Sequence, residues 1–205
     1  MKMKKISGLV ALLLASTMLL SGCGGAKEEA QTDASGADKP NIAILLNGTL
    51  GDKAFYDSAA NGGKMIQDQL GAEVKVVEMT YDETKWMPTL LEFSDDPETD
   101  IIIVGTWQMV EKLQEVAPQY PDKKYIIFDS AVDYSLGVLD NVYSIEYKQN
   151  ECSFLAGAVA ASATKTGTIG FVGGMENNVI NDFLVGYIQG AKQVKEDIKM
   201  SIGYV

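Results

Sequence analysis

The chain has 205 residues, 46% of them apolar and 22% charged, enough apolar content for a sizeable core, and its formal net charge is −11. That acidity works against nucleic acid and against adsorption to an anionic membrane surface, because both draw on cationic side chains. Histidine is absent and all 17 basic residues are lysine. The commonest general base and transition-metal ligand is therefore missing, as is the guanidinium that captures carboxylates and phosphates bidentately. Triad hydrolysis and zinc chemistry lose their support, and nothing asks for a cofactor or a metal. A bound small molecule is expected to be neutral, held by stacking and by Asp or Asn hydrogen bonds.

In chain order, Lys2, Lys4 and Lys5 precede an apolar run over residues 9–15, and Leu20-Ser21-Gly22 leads into Cys23. A basic head, an apolar stretch too short to span a bilayer comfortably and small residues at the cut describe a signal peptide over residues 1–22. Leu-Ser-Gly-Cys resembles the lipobox of bacterial lipoproteins. That resemblance implies acylation of Cys23 and a lipid anchor on the extracytoplasmic face of the cell membrane, where two or more acyl chains hold without a basic patch. Residues 23–40 then read as the lipidated cysteine and a polar, flexible linker.

From Asn41 short apolar runs alternate with longer amphipathic ones. Strands are predicted over 41–47 (NIAILLN), 74–79 (VKVVEM), 100–106 (DIIIVGT), 124–129 (KYIIFD), 141–147 (NVYSIEY), 168–174 (TIGFVGG) and 200–205 (MSIGYV). Continuous apolar strands imply burial on both faces, the mark of a parallel sheet covered by helices. Helical spacing links Val110, Leu113 and Val116, and again Phe183, Tyr187, Ala191 and Val194, while residues 154–163 are small enough for close packing. The chain is α/β, with a first lobe over 41–148 and a partial second lobe over 149–205. Two strands are too few for an open sheet sealed on both faces, so the natural protein is expected to continue past Val205. With Cys23 acylated, Cys152 has no partner in the chain; among small and apolar neighbours it reads as a buried small hydrophobe.

Open parallel sheets bind ligands outside the carboxyl ends of their strands, which turns the strand list into a site list. The first mouth holds residues 48–57 (GTLGDKAFYD), the third Thr106 and Trp107, the fourth Asp129 and Ser130, and the sixth residues 175–183. Aromatic and short polar side chains dominate, suited to stacking a flat ring and accepting hydrogen bonds from its hydroxyls. Each also has a structural reading. Phe55 and Phe183 fit the core faces of helices, Asp52 and Asp57 fit helix starts, Asp129 fits a turn, and Gly173-Gly174 are turn glycines. Neither a G-x-G-x-x-G, a Walker A motif nor G-x-S-x-G occurs.

GDKAFYDSAANG at 51–62 resembles the G-D-x-S-F-N-D-x-A-x-x-G motif of the basic membrane protein family, the nucleoside-binding lipoproteins of ABC transporters. NVYSIEYKQNECSFLAGAVAASATKTGTIGFVGG from Asn141 is similar to the family's N-V-x-S-x-x-F, E-G-S-F-L-A-G and T-K-T-G-x-I-G-F-V-G-G, and NDFLVGYIQGAKQV at 181–194 to its r-F-x-x-G-F-x-x-G-A-K. The resemblance covers residues 41–205 in order. It implies a periplasmic-binding-protein type I-like fold, two parallel-sheet lobes with a hinge and the ligand in the cleft, the second lobe here truncated. It implies further that Phe55 and Phe183 clasp a nucleobase and that Asp129 makes a polar contact. Tyr56 replaces a family Asn that contacts the base, Ala54 replaces Ser, Cys152 replaces Gly, and the first strand ends in Leu46-Asn47 where many members place Asp.

The expected function is thus binding without chemistry. A lipid-anchored extracytoplasmic protein delivers a nucleoside or similar ring-bearing neutral solute to the permease of an ABC importer, using Phe55, Tyr56, Asp57, Trp107, Asp129 and Phe183 and engaging no nucleic acid. The alternative is a sensory lipoprotein of the same fold that reports a small solute to a membrane partner.

Overall fold

The computed structural model describes residues 39–205; the signal peptide, Cys23 and nearly all of the linker lie outside the described residues. The elements run β1 (Asn41–Leu46), α1 (Phe55–Leu70), β2 (Glu73–Glu78), α2 (Trp86–Asp95), β3 (Ile101–Gly105), α3 (Val110–Val116), β4 (Lys124–Phe128), β5 (Val142–Ile145), α4 (Gln149–Ala163), β6 (Thr168–Gly173), α5 (Asn178–Val194) and β7 (Lys199–Tyr204). The first five strands form one sheet in the order β2-β1-β3-β4-β5, and β6 and β7 form a second. Every pairing is parallel. The strands lie within a residue or two of the predicted runs, and the fold is the expected α/β.

The central strand explains the layering. In β1, Ala43 and Leu45 point to one face, where they pack with Ile102, Val104, Tyr125 and Ile127 beneath Leu90 of α2 and Leu113 of α3. Ile42, Ile44 and Leu46 point to the other, against Ala59 and Ile66 of α1. Side chains alternate along a strand, so an uninterrupted apolar run can fill two cores at once. Each fully buried Leu or Ile contributes about 1.5–3 kcal/mol. The α2–α3 core also satisfies its polar atoms. Tyr125, with no exposed surface, donates its hydroxyl to Ser94 Oγ at 2.8 Å, and Ser94 donates in turn to the Leu90 carbonyl at 2.7 Å.

The α1 face is covered unevenly. Beyond β3 only part of it lies under the helix, leaving Tyr143, Ile145 and Tyr147 about half exposed. Ile126, Phe128, Ile145 and Tyr147 line an apolar groove of about 840 Å³ along α1. Among the described residues no helix is long and apolar enough to cross a membrane.

Helices α4 and α5 meet backbone to backbone. Ser153, Gly157 and Ala161 are buried on α4, four residues apart and so on one face, opposite Gly186, Gly190 and Ala191 of α5. A Cβ at Gly157 would run into the Tyr187 carbonyl, and one at Gly190 into the Phe154 carbonyl. This stripe corrects the reading of Cys152. The cysteine is exposed, because α5 covers the face carrying Asn150, Ser153 and Gly157, and Cys152 lies off it with Leu155 and Val159 on the open side.

Because the helices leave no room at Gly190, Gly190→Ala should cost at least about 1–3 kcal/mol through overpacking. Gly62→Ala in α1, where a Cβ meets nothing within 4 Å, should instead stabilise by roughly 0.5–1 kcal/mol. Urea melts of the two variants against the parent chain check both signs.

Candidate functional site

The connections that leave the carboxyl ends of β1 to β4 share an unusual backbone. Among the described residues, the four non-glycine residues with positive φ are Lys53 (55°), Thr80 (61°), Thr106 (70°) and Asp129 (60°), one in each of these connections. Three of them still serve the sheet before the chain departs. Thr80 N donates to Gly48 O at 3.2 Å, Thr106 N to Phe128 O at 3.0 Å, and Asp129 N to Ile145 O at 2.9 Å. A left-handed φ then turns each chain off the sheet. Such conformations cost about 1–3 kcal/mol each and gather where a site must be shaped.

Two carboxylates organise the loop after β1. Asp52 accepts from Ala54 N at 2.9 Å, Tyr56 N at 2.9 Å and Asp57 N at 3.1 Å, taking up free amides at the start of α1. These backbone donors hold its carboxyl below the usual range. Asp57 accepts from Gly51 N at 2.7 Å and Lys53 N at 2.8 Å, so both of its oxygens face the loop.

The loop so held presents an aromatic ledge. Phe55 stands edge-on to Tyr56, with ring centroids 5.3 Å apart at 88°, and lies 5.4 Å from Phe128 at 37°. Tyr56 packs across Gly48, where any Cβ would enter its ring, and donates its hydroxyl to the Asn47 carbonyl at 3.1 Å. Phe128 lies across Gly105 in the same way. Next in sequence is Asp129, whose carboxylate meets no donor among the described residues and whose pKa is raised by burial. Burial also raises the Tyr147 hydroxyl, helped by the negative charge of Asp129.

Trp107, 43% exposed, falls on the other side of the edge. With Gln108 and Ser130 it lines a cavity of about 520 Å³ whose far wall is Asn177, Asn178 and Val179 at the start of α5. Asn177 caps that helix, accepting from Ile180 N at 2.9 Å. Phe183 sits further along α5, partly buried, with its carbonyl accepting from Ser153 Oγ at 2.6 Å. The structure therefore brings Phe55 and Tyr56 together beside Phe128 and Asp129, sets Trp107 across from the α5 N-terminus, and makes no ring pair between Phe55 and Phe183 among the described residues. Asn47, Gln108, Tyr147 and Asn177 join the site. Asn177 lies in the 175–183 mouth as a capping residue before an apolar-periodic run, and Asn47 ends the first predicted strand where many family members place Asp, whereas Gln108 carries no local signal. Among the described residues no group of three His, Cys, Asp or Glu side chains is placed to hold a metal.

Residues 39–205 match the family model described as ABC transporter substrate-binding protein PnrA-like. The chain belongs to this family. Basic membrane protein A of Borreliella burgdorferi is 33% identical over 198 residues, which cover 96% of this chain and 55% of that protein. The ABC transporter nucleoside-binding protein BmpA of Lactococcus lactis is 30% identical over 210 residues, covering 98% and 57%. A crystal structure of ABC transporter system solute-binding proteins from Aeropyrum pernix superposes with a TM-score of 0.67 at 27% identity, covering 81% of this chain and 47% of that one. The chain spans about half the length of the curated relatives it matches. The family is one of substrate-binding proteins of ABC transporters and not of enzymes, and the resemblance read from the motifs at 51–62 and 141–194 holds.

Burial lifts the folded-state pKa of Asp129 above its ordinary value of 3.8. In the window above 3.8 the folded chain keeps the proton that the unfolded chain has lost, so stability falls as pH rises through it. Asp129→Asn, which also tolerates the left-handed φ, should therefore melt higher than the parent at pH 7. The gain should vanish below about pH 3.5, where the carboxyl is neutral in both states; melting curves across pH 3–8 check the sign.

Proposed function

We propose that this protein is the lipid-anchored, extracytoplasmic solute receptor of an ABC importer and that its solute is a nucleoside or a similar neutral, ring-bearing molecule. The observation that carries this reading is the pairing of the Phe55–Tyr56–Phe128 ledge with Asp129, a partly buried acceptor that no donor meets among the described residues. Aromatic faces stack flat rings, and a carboxylate accepts from ring hydroxyls or amines. The name of the Lactococcus lactis relative, a nucleoside-binding protein, supports the same class.

In this reading Phe55 and Asp129 hold the solute on the first sheet, Trp107 borders it across from Asn177–Val179, and Phe183 approaches it from α5. Asp57 and Tyr56 act through the loop that presents Phe55. Solute that touches both walls favours the closed arrangement over the open one by its differential affinity for the two, and a membrane permease recognises the closed form.

A thermal-shift screen of nucleosides, free bases and sugars against the full-length mature protein tests the ligand class; shifts confined to sugars would overturn the stacking model. With the ligand from that screen, Phe55→Ala should weaken binding by about 1–3 kcal/mol with a smaller change in stability. A core phenylalanine would instead cost about 3–5 kcal/mol of folding free energy and leave affinity unaltered. Calorimetric titration and melting of the same variant separate the two.

Anchoring is checked at Cys23, the thiol of the Leu-Ser-Gly-Cys site. Cys23→Ser should abolish incorporation of labelled fatty acid and leave the protein unprocessed or released, and undiminished labelling would refute the anchor.

A further inference from the structure

Behind the cavity that Trp107 borders lies a polar relay. Asn47, at the carboxyl end of β1 and 1% exposed, donates from Nδ2 to Thr106 Oγ1 at 2.8 Å and more distantly to Gln108 Oε1 at 3.4 Å. Thr106 donates its own hydroxyl to Gln108 Oε1 at 2.7 Å. The relay runs in one direction. With the Asn47 amide occupying the threonine oxygen, the Thr106 proton goes to Gln108, and both donors meet the glutamine carbonyl oxygen. In this arrangement the Gln108 carboxamide turns its oxygen toward Thr106 and Asn47. Its Nε2, with two protons to give, has no partner among the described residues, and Gln108 lines the 520 Å³ cavity.

The arrangement is costly in two independent ways. Thr106 holds a left-handed φ of 70°, which a β-branched residue disfavours, and Asn47 Oδ1 is buried without a partner among the described residues. A surface glutamine with a merely local role needs neither. Costs of this kind persist where they hold a group in place for a ligand.

We propose that Gln108 is a specificity-determining residue of the solute site: fixed by Thr106 and Asn47, its Nε2 donates to a ring carbonyl of the solute and selects carbonyl-bearing over amino-bearing bases. This rests on the reading of the ligand as a nucleoside or base. A donor aimed at a carbonyl gains a hydrogen bond, whereas the same donor aimed at an exocyclic amine meets a second donor and leaves both unpaired.

The test is calorimetric titration of the full-length mature protein with matched pairs, inosine against adenosine and uridine against cytidine. The parent protein should prefer the carbonyl-bearing member by about tenfold or more. Gln108→Glu keeps an oxygen for Thr106 and Asn47 but replaces the donor with an acceptor, and should abolish or reverse that preference. Gln108→Met, which removes both polar atoms, should bring each pair to within about threefold, and melting curves show whether either variant stays folded. Equal losses for both members of a pair, with the ratio unchanged, would reduce Gln108 to a structural residue and overturn the proposal. A parent protein that binds nucleosides with ratios near one overturns the proposal alone. One that binds no nucleoside or base overturns the ligand class and the proposal with it.

Discussion

Because β1 runs between β2 and β3 in the same direction and buries both of its faces, the connections out of the first four strands all leave from one edge. Parallel pairing fixes this outcome before any loop sequence is considered, since each strand must be followed by a crossover that returns the chain to the opposite edge. The loops carrying Phe55, Thr106 and Asp129 are thereby made neighbours although they are far apart in the chain. The register of β1 on β3, with Leu45 beside Val104, is what lets Asn47 reach Thr106 across 59 residues of sequence.

The molecule spends its stability unevenly along that geometry. In the core beneath α2 and α3 the buried Tyr125 hydroxyl is paired with Ser94, and the partly buried Asn141 amide at its border donates to the carbonyls of Ala117, Tyr120 and Lys123 at 3.0, 3.0 and 3.1 Å. At the carboxyl edge the opposite holds among the described residues, with four left-handed residues, a buried carboxamide oxygen without a partner and a carboxylate that no donor meets. An unpartnered buried polar group costs about 1–3 kcal/mol, and ordinary core packing does not require one. The core makes that expense tolerable; a second such oxygen among the described residues, Gln149 Oε1, lies at the start of α4.

How much of this could be read from sequence depends on whether the signal is periodic. The strands NIAILL, IIIVG and KYIIF announce themselves because burial on both faces leaves no polar interruption, and the parallel class follows from the same runs. Position at a strand end then directed attention to Phe55, Trp107 and Asp129. What stayed illegible rests on single side chains whose role is conferred by partners distant in sequence. Gln108 is one polar residue in GTWQM with no pattern around it, and its orientation comes from Asn47 on another strand. Cys152 failed for a related reason. Small and apolar neighbours indicate a packed helix, but which face packs is decided by the glycines of α5, and the cysteine lies off that face.

The backbone contact between α4 and α5 bears on how a two-walled site works. Helices that touch through Gly157 and Gly190 have no compliant side chains between them at those points, a contact that resists displacement of one helix against the other. Asn177 caps α5 and thereby ties the end of that helix to the cavity wall. The first sheet is equally unyielding beneath its edge, where Leu90, Leu113 and Tyr125 have no exposed surface. On the proposed receptor reading, closure would change the relative orientation of these two parts and not deform either wall. On that reading the segment from the end of β5 at Ile145 to the start of α4 at Gln149 is where such a change would be absorbed.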